Sequence, residues 1–267
     1  MIQVRKLANK DLTKVYEYIQ SEPEINLFIQ GDLELYGLQS QNISLYAIGE
    51  SWDCILLKYY SDFILYSKGP TFNAKAVGAL LARQEKILAI SAKESLLKQI
   101  QPLYPTRKIQ GTYLCRCNKA SFTAKEVNTT LPTRRLTKED APAIVALYQQ
   151  IEEFAQPYLD HTQEKLAEIT NNLEQGGVGF GLFEGNRLVS SVYTTATTTS
   201  GAMIVGVATL SEARNRGYAS TLVSELCSFC FEGGLEFLCL FFDNPKAGTI
   251  YTSLGFEVVD RWGIMRF

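Results

Sequence analysis

One stretch of the sequence, residues 204–221, combines a buried-type strand, a short loop and the beginning of an amphipathic helix. A helix start leaves several main-chain N–H groups unpaired and carries about half a positive elementary charge. A turn at such a place, without a bulky Cβ, can hold a diphosphate. Gly217 permits a close approach of the ligand, and Ala219 keeps the rim of the turn low. Because Arg214 and Arg216 add positive charge beside it, this turn is predicted to bind phosphate groups.

The same turn carries a motif. The pattern R-x-x-G-x-A at residues 214–219 resembles the Q/R-x-x-G-x-G/A signature of the GCN5-related N-acetyltransferase (GNAT) superfamily, and it lies between the expected strand and helix. Downstream, Asn244 follows the next strand, and the pattern Y-x-x-L-G-F at residues 251–256 resembles the second acetyl-CoA motif of that superfamily. The motif resemblance covers about residues 133–267, whereas the first half of the chain shares only the order of its elements.

The resemblance implies an acetyl-CoA-dependent N-acetyltransferase that transfers the acetyl group directly to a primary amine of a small molecule or peptide. In this superfamily the pantetheine arm of coenzyme A adds like an extra strand beside a splayed pair of strands. The resemblance places this arm on main-chain groups near Val207 and Thr209, with an N–H near Val207 stabilising the oxyanion. Tyr251 is expected to be the general acid that protonates the departing thiolate.

The other predicted contacts with acetyl-CoA also follow from the resemblance. The pyrophosphate is expected on the main chain of the turn, with Thr221 nearby, and Asn244 is expected at the second acetyl-CoA motif. The predicted coenzyme-binding residues are Val207, Thr209, Arg214, Asn215, Arg216, Gly217, Tyr218, Ala219, Ser220 and Asn244.

The general base is less constrained by the sequence. A substrate amine with a pKa near ~10 must lose a proton before it attacks, and a carboxylate that acts through water is a common solution. Glu153, expected near the end of a helix over residues 139–154, is the predicted base. The alternatives are Glu152, Asp160, His161 and Glu184.

The elements that must position these residues repeat along the chain. Both halves have the predicted order β-α-α-β-β-β-α-β-α-β, which indicates two tandem GNAT-like domains of a mixed-sheet α/β fold. The predicted domains are residues 1–117 and 132–267, joined by a polar, aperiodic linker at 118–131. The first strand is predicted from Ile2 to Leu7, and the last from Phe256 to Phe267.

The first domain lacks the phosphate-binding motif. At the corresponding place it has residues 67–74, which contain no R-x-x-G-x-G/A pattern, and Pro70 has no N–H to donate. We therefore expect this domain to have kept a related fold and lost coenzyme binding. Its expected role is to wall the substrate cleft or to stabilise its neighbour.

Composition excludes several classes of function. With 26 basic and 28 acidic residues and no dense Lys/Arg patch, nucleic acid is not an expected partner. Residues 1–131 contain 16 basic and 12 acidic side chains, while residues 132–267 contain 10 and 16, which weakly favours a cationic ligand on the second half. No apolar run reaches the ~18 residues of a membrane span, and no secretory signal is evident, so no membrane contact and a cytoplasmic location are expected.

The six cysteines are expected to be small apolar packing residues in a reduced compartment. No metal site is expected, because the chain has one histidine and its two close cysteine pairs, 115/117 and 227/230, are far apart in sequence.

Three hypotheses of function remain. The leading one is the acetyltransferase described above. The second is a non-catalytic acyl-CoA-binding regulatory module, which would bind the coenzyme without transfer to any amine. The third is an aminoacyl-transferring tandem enzyme that uses charged tRNA, and the missing basic surface disfavours it. The acceptor amine, the acyl chain length and the oligomeric state stay open.

Overall fold

The computed structural model of the chain describes residues 3–125, 129 and 131–267. The beginning of the predicted first strand, at Ile2, lies outside the described residues. Four residues of the predicted linker lie outside them as well, namely Glu126, Val127, Asn128 and Thr130.

The described residues form strands and helices in the following order along the chain. The strands are β1 (Val4–Lys6), β2 (Ile43–Ile48), β3 (Cys54–Tyr59), β4 (Asp62–Tyr66), β5 (Ala89–Lys93), β6 (Ile109–Asn118), β7 (Thr133–Leu136), β8 (Gly179–Glu184), β9 (Arg187–Thr195), β10 (Gly201–Thr209), β11 (Phe237–Phe242) and β12 (Glu257–Arg266). The α-helices are α1 (Leu12–Ile19), α2 (Leu27–Tyr36), α3 (Ala74–Leu81), α4 (Glu94–Ile100), α5 (Ala141–Tyr148), α6 (Glu152–Asp160), α7 (Thr162–Glu174), α8 (Tyr218–Glu232) and α9 (Pro245–Ser253).

By its contacts, the chain divides into two compact units. The first unit contains Met1–Leu114 and Val258–Phe267, and the second contains Cys115–Glu257. The predicted domains, 1–117 and 132–267, divide the chain by sequence order instead and stay a prediction. The two divisions differ most at the C-terminus, because β12 belongs to the predicted second domain but pairs with β5 in the first unit.

The first unit is built on the strand order β1-β2-β3-β4-β5-β12. Its neighbouring strands are antiparallel except for β4 and β5, which run parallel over three residue pairs ending at Ile64 and Ser91. A core beside this sheet contains side chains from α3 and α4, such as Val77, Leu81 and Leu97.

The second unit is built on the strand order β11-β10-β9-β8-β7. Among the described strands of this order, β10 and β11 run parallel and the other neighbouring pairs are antiparallel. The first four residues of β11, Phe237–Leu240, are all buried, as expected for a parallel strand that is covered on both faces. Helix α8 buries Leu222 and Leu226 at helical spacing against this sheet. The predicted mixed-sheet α/β fold class is confirmed.

One predicted helix is wrong. Residues 139–154 do not form a single helix, because α5 ends at Tyr148 and a second helix, α6, begins at Glu152. Between them the chain turns at Ile151, which takes an extended conformation (φ −111°, ψ 113°) and buries its side chain. Burial of Ile151 and Tyr148 in the core overrides the helical pattern of this segment. Glu152 and Glu153 therefore lie at the start of a helix, where acidic side chains interact favourably with the helix dipole.

The cysteines occupy the interior. All six are free thiols with buried side chains. Within the described ranges, no group of three or more His, Cys, Asp or Glu side chains is placed to hold a metal ion. In the same part of the chain, no helix is both long enough and apolar enough to cross a bilayer.

Candidate functional site

The predicted phosphate-binding turn lies between β10 and α8 of the second unit. After β10, the chain makes a short 3-10 turn at Ser211–Ala213 and becomes extended at Arg214. Asn215 and Gly217 then take positive φ angles of 63° and 79°, and α8 begins at Tyr218. Two left-handed residues within three positions bend the chain sharply just before α8 begins.

The main-chain N–H groups of this turn are available. The first N–H of the helix with a main-chain acceptor is that of Thr221, which donates to the carbonyl of Gly217 at 2.9 Å. In the part of the chain that the structure describes, none of the N–H groups of residues 215–220 donates to a main-chain or side-chain oxygen. A Cβ placed on Gly217 would meet no atom within 4 Å, so the space over the turn is open. An open cradle of unpaired donors at a helix start fits a diphosphate.

The two arginines of the motif are exposed and paired with carboxylates. Arg214 lies 3.2 Å from Glu153, and its Nε donates to the carbonyl of Thr209. Arg216 lies 3.5 Å from Glu184. Exposed ion pairs contribute about 1 kcal/mol or less each, so an incoming phosphate can exchange these partners at little cost.

The parallel strands β10 and β11 separate halfway along their length. They pair from Gly201 with Phe237 to Ile204 with Leu240, and no pair follows. Beyond that point, Val205, Gly206 and Val207 on β10 are partly exposed, as is Phe242 on β11. The separation leaves a gap, defined by residues 205–209 of β10 and 241–242 of β11, that we call the slot. Between its edges β10 and β11 no longer pair with each other, which is the kind of gap in which an extended ligand can lie like an added strand.

A β-bulge bends β10 at the beginning of the slot. The register of β9 and β10 shifts between Val205 and Ala208, and Gly206 within the shift has a φ of 63°. The carbonyl of Gly206 accepts a hydrogen bond of 3.0 Å from the hydroxyl of Tyr148. The Ser191 hydroxyl also donates to this carbonyl, at 3.4 Å. The bulge is thus held by two side chains of the second unit.

Tyr251 lies in α9 with its side chain 6% exposed. Its ring centroid is 5.9 Å from that of Phe242 on the slot and 6.1 Å from that of Phe256. Burial raises the pKa of Tyr251 to about 12, so the phenol keeps its proton at neutral pH. No hydrogen-bond partner of its hydroxyl occurs among the described residues. A protonated, uncommitted phenol beside the slot can donate a proton.

Asn244 caps α9 rather than projecting freely. Its Oδ1 accepts a hydrogen bond of 2.9 Å from the N–H of Lys246, and Pro245 occupies the first helical position. These are the preferred residue types at the two positions, so the Asn-Pro pair defines where the helix begins. The contact with coenzyme predicted for Asn244 stays a prediction.

The base candidates lie in different surroundings. Glu153 is in the first turn of α6, and its own main-chain N–H and Arg214 lower the pKa of its carboxyl. Glu184 pairs with Arg216, and the exposed His161 lies 3.4 Å from Glu164. Among these candidates, Glu153 and Glu184 lie beside the phosphate-binding turn through their arginine partners.

Two residues of the site were missed by the sequence analysis. Gly206 lies inside a predicted strand, and a glycine in a strand interior is a known signal of a bulge. Tyr148 has no such signal, because its hydroxyl reaches Gly206 across 58 positions of sequence. Tyr218, predicted as a coenzyme-binding residue, buries its side chain and offers only main-chain groups to the turn.

The chain is similar to known proteins both in its sequence profile and in its fold. The profile of one protein family, described as GNAT acetyltransferase, matches residues 79–265. Among solved structures, the chain is similar to a Drosophila protein (TM-score 0.74, 12% identity, 99% of this chain and 98% of that chain). It is also similar to a GCN5-related N-acetyltransferase from Sphaerobacter thermophilus (TM-score 0.67, 14% identity, 100% and 95%). A tandem GNAT protein from the clavulanic acid biosynthesis pathway has a TM-score of 0.59 at 13% identity, covering 99% and 98%.

At these identities the structural likeness concerns the fold. A search of curated proteins found no match to the sequence.

Proposed function

Since the chain belongs to the GNAT acetyltransferase family, we propose that it transfers an acetyl group from acetyl-CoA directly to a primary amine of a small molecule or peptide. The observation that carries the proposal is the open turn at the start of α8, where the N–H groups of residues 215–220 lack acceptors among the described residues. Membership of the family supports acyl transfer in general, and this turn supports a diphosphate-bearing donor.

The residues of the second unit would hold acetyl-CoA at two places. The turn, with Arg214 and Arg216 beside it, binds the pyrophosphate, and the slot next to Val207 and Thr209 binds the pantetheine arm. Acetyl-CoA supplies a thioester carbonyl, to which the N–H of Val207 is the proposed donor. These assignments rest on the resemblance of the motif and on the geometry of the turn and the slot.

The transfer itself needs two proton movements. The amine lone pair forms a C–N bond with the thioester carbon, and the C–S bond breaks with its electron pair going to sulfur. Tyr251 donates the proton that the thiolate takes up. Glu153 is the proposed base that removes the amine proton through water, and its lowered pKa keeps it ionised at neutral pH. Its ion pair with Arg214 also links the base to the phosphate-binding turn.

We infer that the first unit does not bind the coenzyme. At the end of its parallel pair, Glu22 bridges the two strands: it accepts a hydrogen bond of 2.9 Å from Tyr66 at the end of β4 and pairs with Lys93 at the end of β5. At the start of its helix α3 two N–H groups are already engaged: that of Ala74 donates to the carbonyl of Phe72 at 3.0 Å, and that of Ala76 donates to the Oδ1 of Asn73 at 2.9 Å. The place that corresponds to the slot is therefore occupied by the unit's own side chains.

The test is calorimetric titration of the whole chain with acetyl-CoA, followed by assay against a panel of amines. We expect acetyl-CoA to bind the wild type and not the Gly217→Glu variant. We also expect coenzyme A to be released when a suitable amine is present. Absence of binding at millimolar acetyl-CoA would refute the proposal. Binding without transfer to any amine would favour the non-catalytic acyl-CoA-binding module instead.

A further inference from the structure

The bulge carbonyl of Gly206 is held from one side by two hydroxyl groups. We infer that Tyr148, assisted by Ser191, is a positioning residue that aims the N–H of Val207 into the slot, where it meets the acyl carbonyl of the donor. The inference rests on the proposed function, because the contact that Tyr148 would position is one made to the donor during acyl transfer.

The planar peptide bond links the direction of the Gly206 carbonyl to that of the Val207 N–H. The carbonyl of Gly206 and the N–H of Val207 belong to one trans peptide unit, so they point in opposite directions. Ser191 lies on β9, the neighbour of β10 on one side, and β11 is the neighbour on the other side. Hydrogen bonds from Ser191 and Tyr148 turn the carbonyl of Gly206 toward the β9 side. The N–H of Val207 must then point toward the β11 side, into the slot.

The peptide between Gly206 and Val207 lies outside the regular register of both neighbouring strands. Gly206 and Val207 fall inside the register shift between β9 and β10, and the pairing of β10 with β11 has already ended at Ile204. A peptide at such an irregularity is fixed less firmly by the sheet than one in regular register, so its orientation depends more on other contacts. The side-chain hydroxyls are its restraints in the described part of the chain, and the Tyr148 bond of 3.0 Å is the shorter of the two.

Tyr148 itself is held firmly by its surroundings. Its side chain is 1% exposed in the core of the second unit, and its ring packs 4.8 Å from that of Tyr158 and 5.4 Å from that of Phe154, centroid to centroid. A donor held by packing keeps its direction without reorganisation. Gly206 is also required by this contact, because a Cβ at its position would collide with the Tyr148 hydroxyl and the Tyr193 ring.

The experiment measures the carbonyl that the Val207 N–H should contact. Acetyl-CoA labelled with ¹³C at the acyl carbonyl is bound to the whole protein, and its C=O stretch is recorded by difference infrared spectroscopy. A hydrogen bond to the carbonyl lowers the frequency of this stretch. We expect a lowered frequency in the wild type and a return toward the free value in Tyr148→Phe, which removes the hydroxyl and keeps the ring.

Kinetics supply a second readout. We expect Tyr148→Phe to lower kcat about 10- to 100-fold, somewhat less than the ~10²- to 10³-fold caused by deleting an oxyanion donor outright. The KM for acetyl-CoA should change by less than about twofold, because the pyrophosphate and pantetheine contacts are untouched. Tyr18→Phe is the matched control, since it removes another buried phenol bond to a main-chain carbonyl, at Asp53, in the first unit. The control should leave the stretch and kcat unchanged.

The outcomes separate this inference from the proposed function. If acetyl-CoA does not bind, the proposed function fails. If it binds with an unshifted stretch in the wild type, or with the same shift in Tyr148→Phe, the role of Tyr148 is refuted. If Tyr148→Phe does not fold, Ser191→Ala takes its place and should move the stretch in the same direction by a smaller amount. No movement in that variant would overturn the inference.

Discussion

At the scale of single residues, the site depends on groups whose protonation or conformation is unusual. Tyr251 is a buried phenol with a raised pKa, and Gly217 has a left-handed conformation with open space over it. Glu153 is an exposed carboxylate with a lowered pKa. Each of these properties has a local cause, so each can be tested by one substitution.

Tyr251→Phe should lower turnover ~10²- to 10⁴-fold while leaving coenzyme affinity largely intact, because only the proton donor is lost. Because the pKa of Tyr251 is raised to about 12, the donor form persists as the pH rises and deprotonates only near that value. Steady-state kinetics from pH 7 to about 10 should therefore show no alkaline decline caused by this residue. Unchanged turnover in the variant would remove Tyr251 from its proposed role.

Gly217→Glu should abolish coenzyme binding, because it places bulk and negative charge over the N–H groups that receive the diphosphate. Gly217→Ala is the matched control. Its methyl group meets no atom within 4 Å, so its cost is the left-handed conformation, about 1 kcal/mol of stability. Calorimetry should find binding retained in the Ala variant and lost in the Glu variant. Retained binding in both would refute the placement of the phosphates.

At the scale of elements, three features of the second unit make up the candidate site. They are the start of α8, the bulge of β10, and the start of α6, whose first turn carries Glu153. The Arg214–Glu153 ion pair joins the phosphate-binding turn to α6. Binding of a phosphate to Arg214 would therefore change the partner of the proposed base.

Glu153→Gln should lower kcat ~10²-fold or more if this carboxylate is the base, with a smaller effect at high pH, where the free amine is abundant. The kcat should also fall at low pH. Glu153 is ionised and can act as the base above its lowered pKa, and it loses this function as the pH falls through that pKa. Arg214→Gln is the control that breaks the same ion pair and keeps the carboxylate; it should weaken acetyl-CoA binding more than it lowers kcat. Equal kcat in wild type and Glu153→Gln would exclude Glu153 as base.

At the scale of the whole molecule, each unit has a parallel strand pair that stops short of the strand ends. In the second unit the pair opens on the slot, where β10 and β11 no longer pair with each other. In the first unit Glu22 bridges the corresponding ends through Tyr66 and Lys93. Both units thus have a parallel pair of strands that separates. They differ in whether side chains fill the space between the separated strand ends.

The chain should bind one molecule of acetyl-CoA. Calorimetric titration should give a stoichiometry of one per chain in the wild type and no binding in Gly217→Glu. The first-unit variant Lys93→Met, which breaks the pair with Glu22, serves as the control and should keep a stoichiometry of one and the wild-type affinity. A stoichiometry of two in the wild type would contradict the proposal that the first unit has lost the coenzyme.

Much of the fold could be predicted from the sequence, since the signals are local. The bounds of β11 and the strand-turn-helix from β10 to α8 follow from apolar runs and a glycine. The break at Ile151 could not be predicted, because it depends on which side chains the core accepts. The pairing of β12 with β5 could not be predicted either, because the two strands lie far apart in the sequence. Which strands pair depends on packing more than on the residues of one strand.

The sequence alone determined the family motif and the class of fold, and it predicted the phosphate-binding turn, since residue type and spacing carry each of these signals. The tertiary structure decided the rest of the candidate site: where β10 leaves β11, which hydroxyls hold the Gly206 carbonyl, and which carboxylates pair with Arg214 and Arg216. The physical reason is that these contacts join positions far apart in the chain, and their hydrogen bonds exist only once packing has brought the partners within reach.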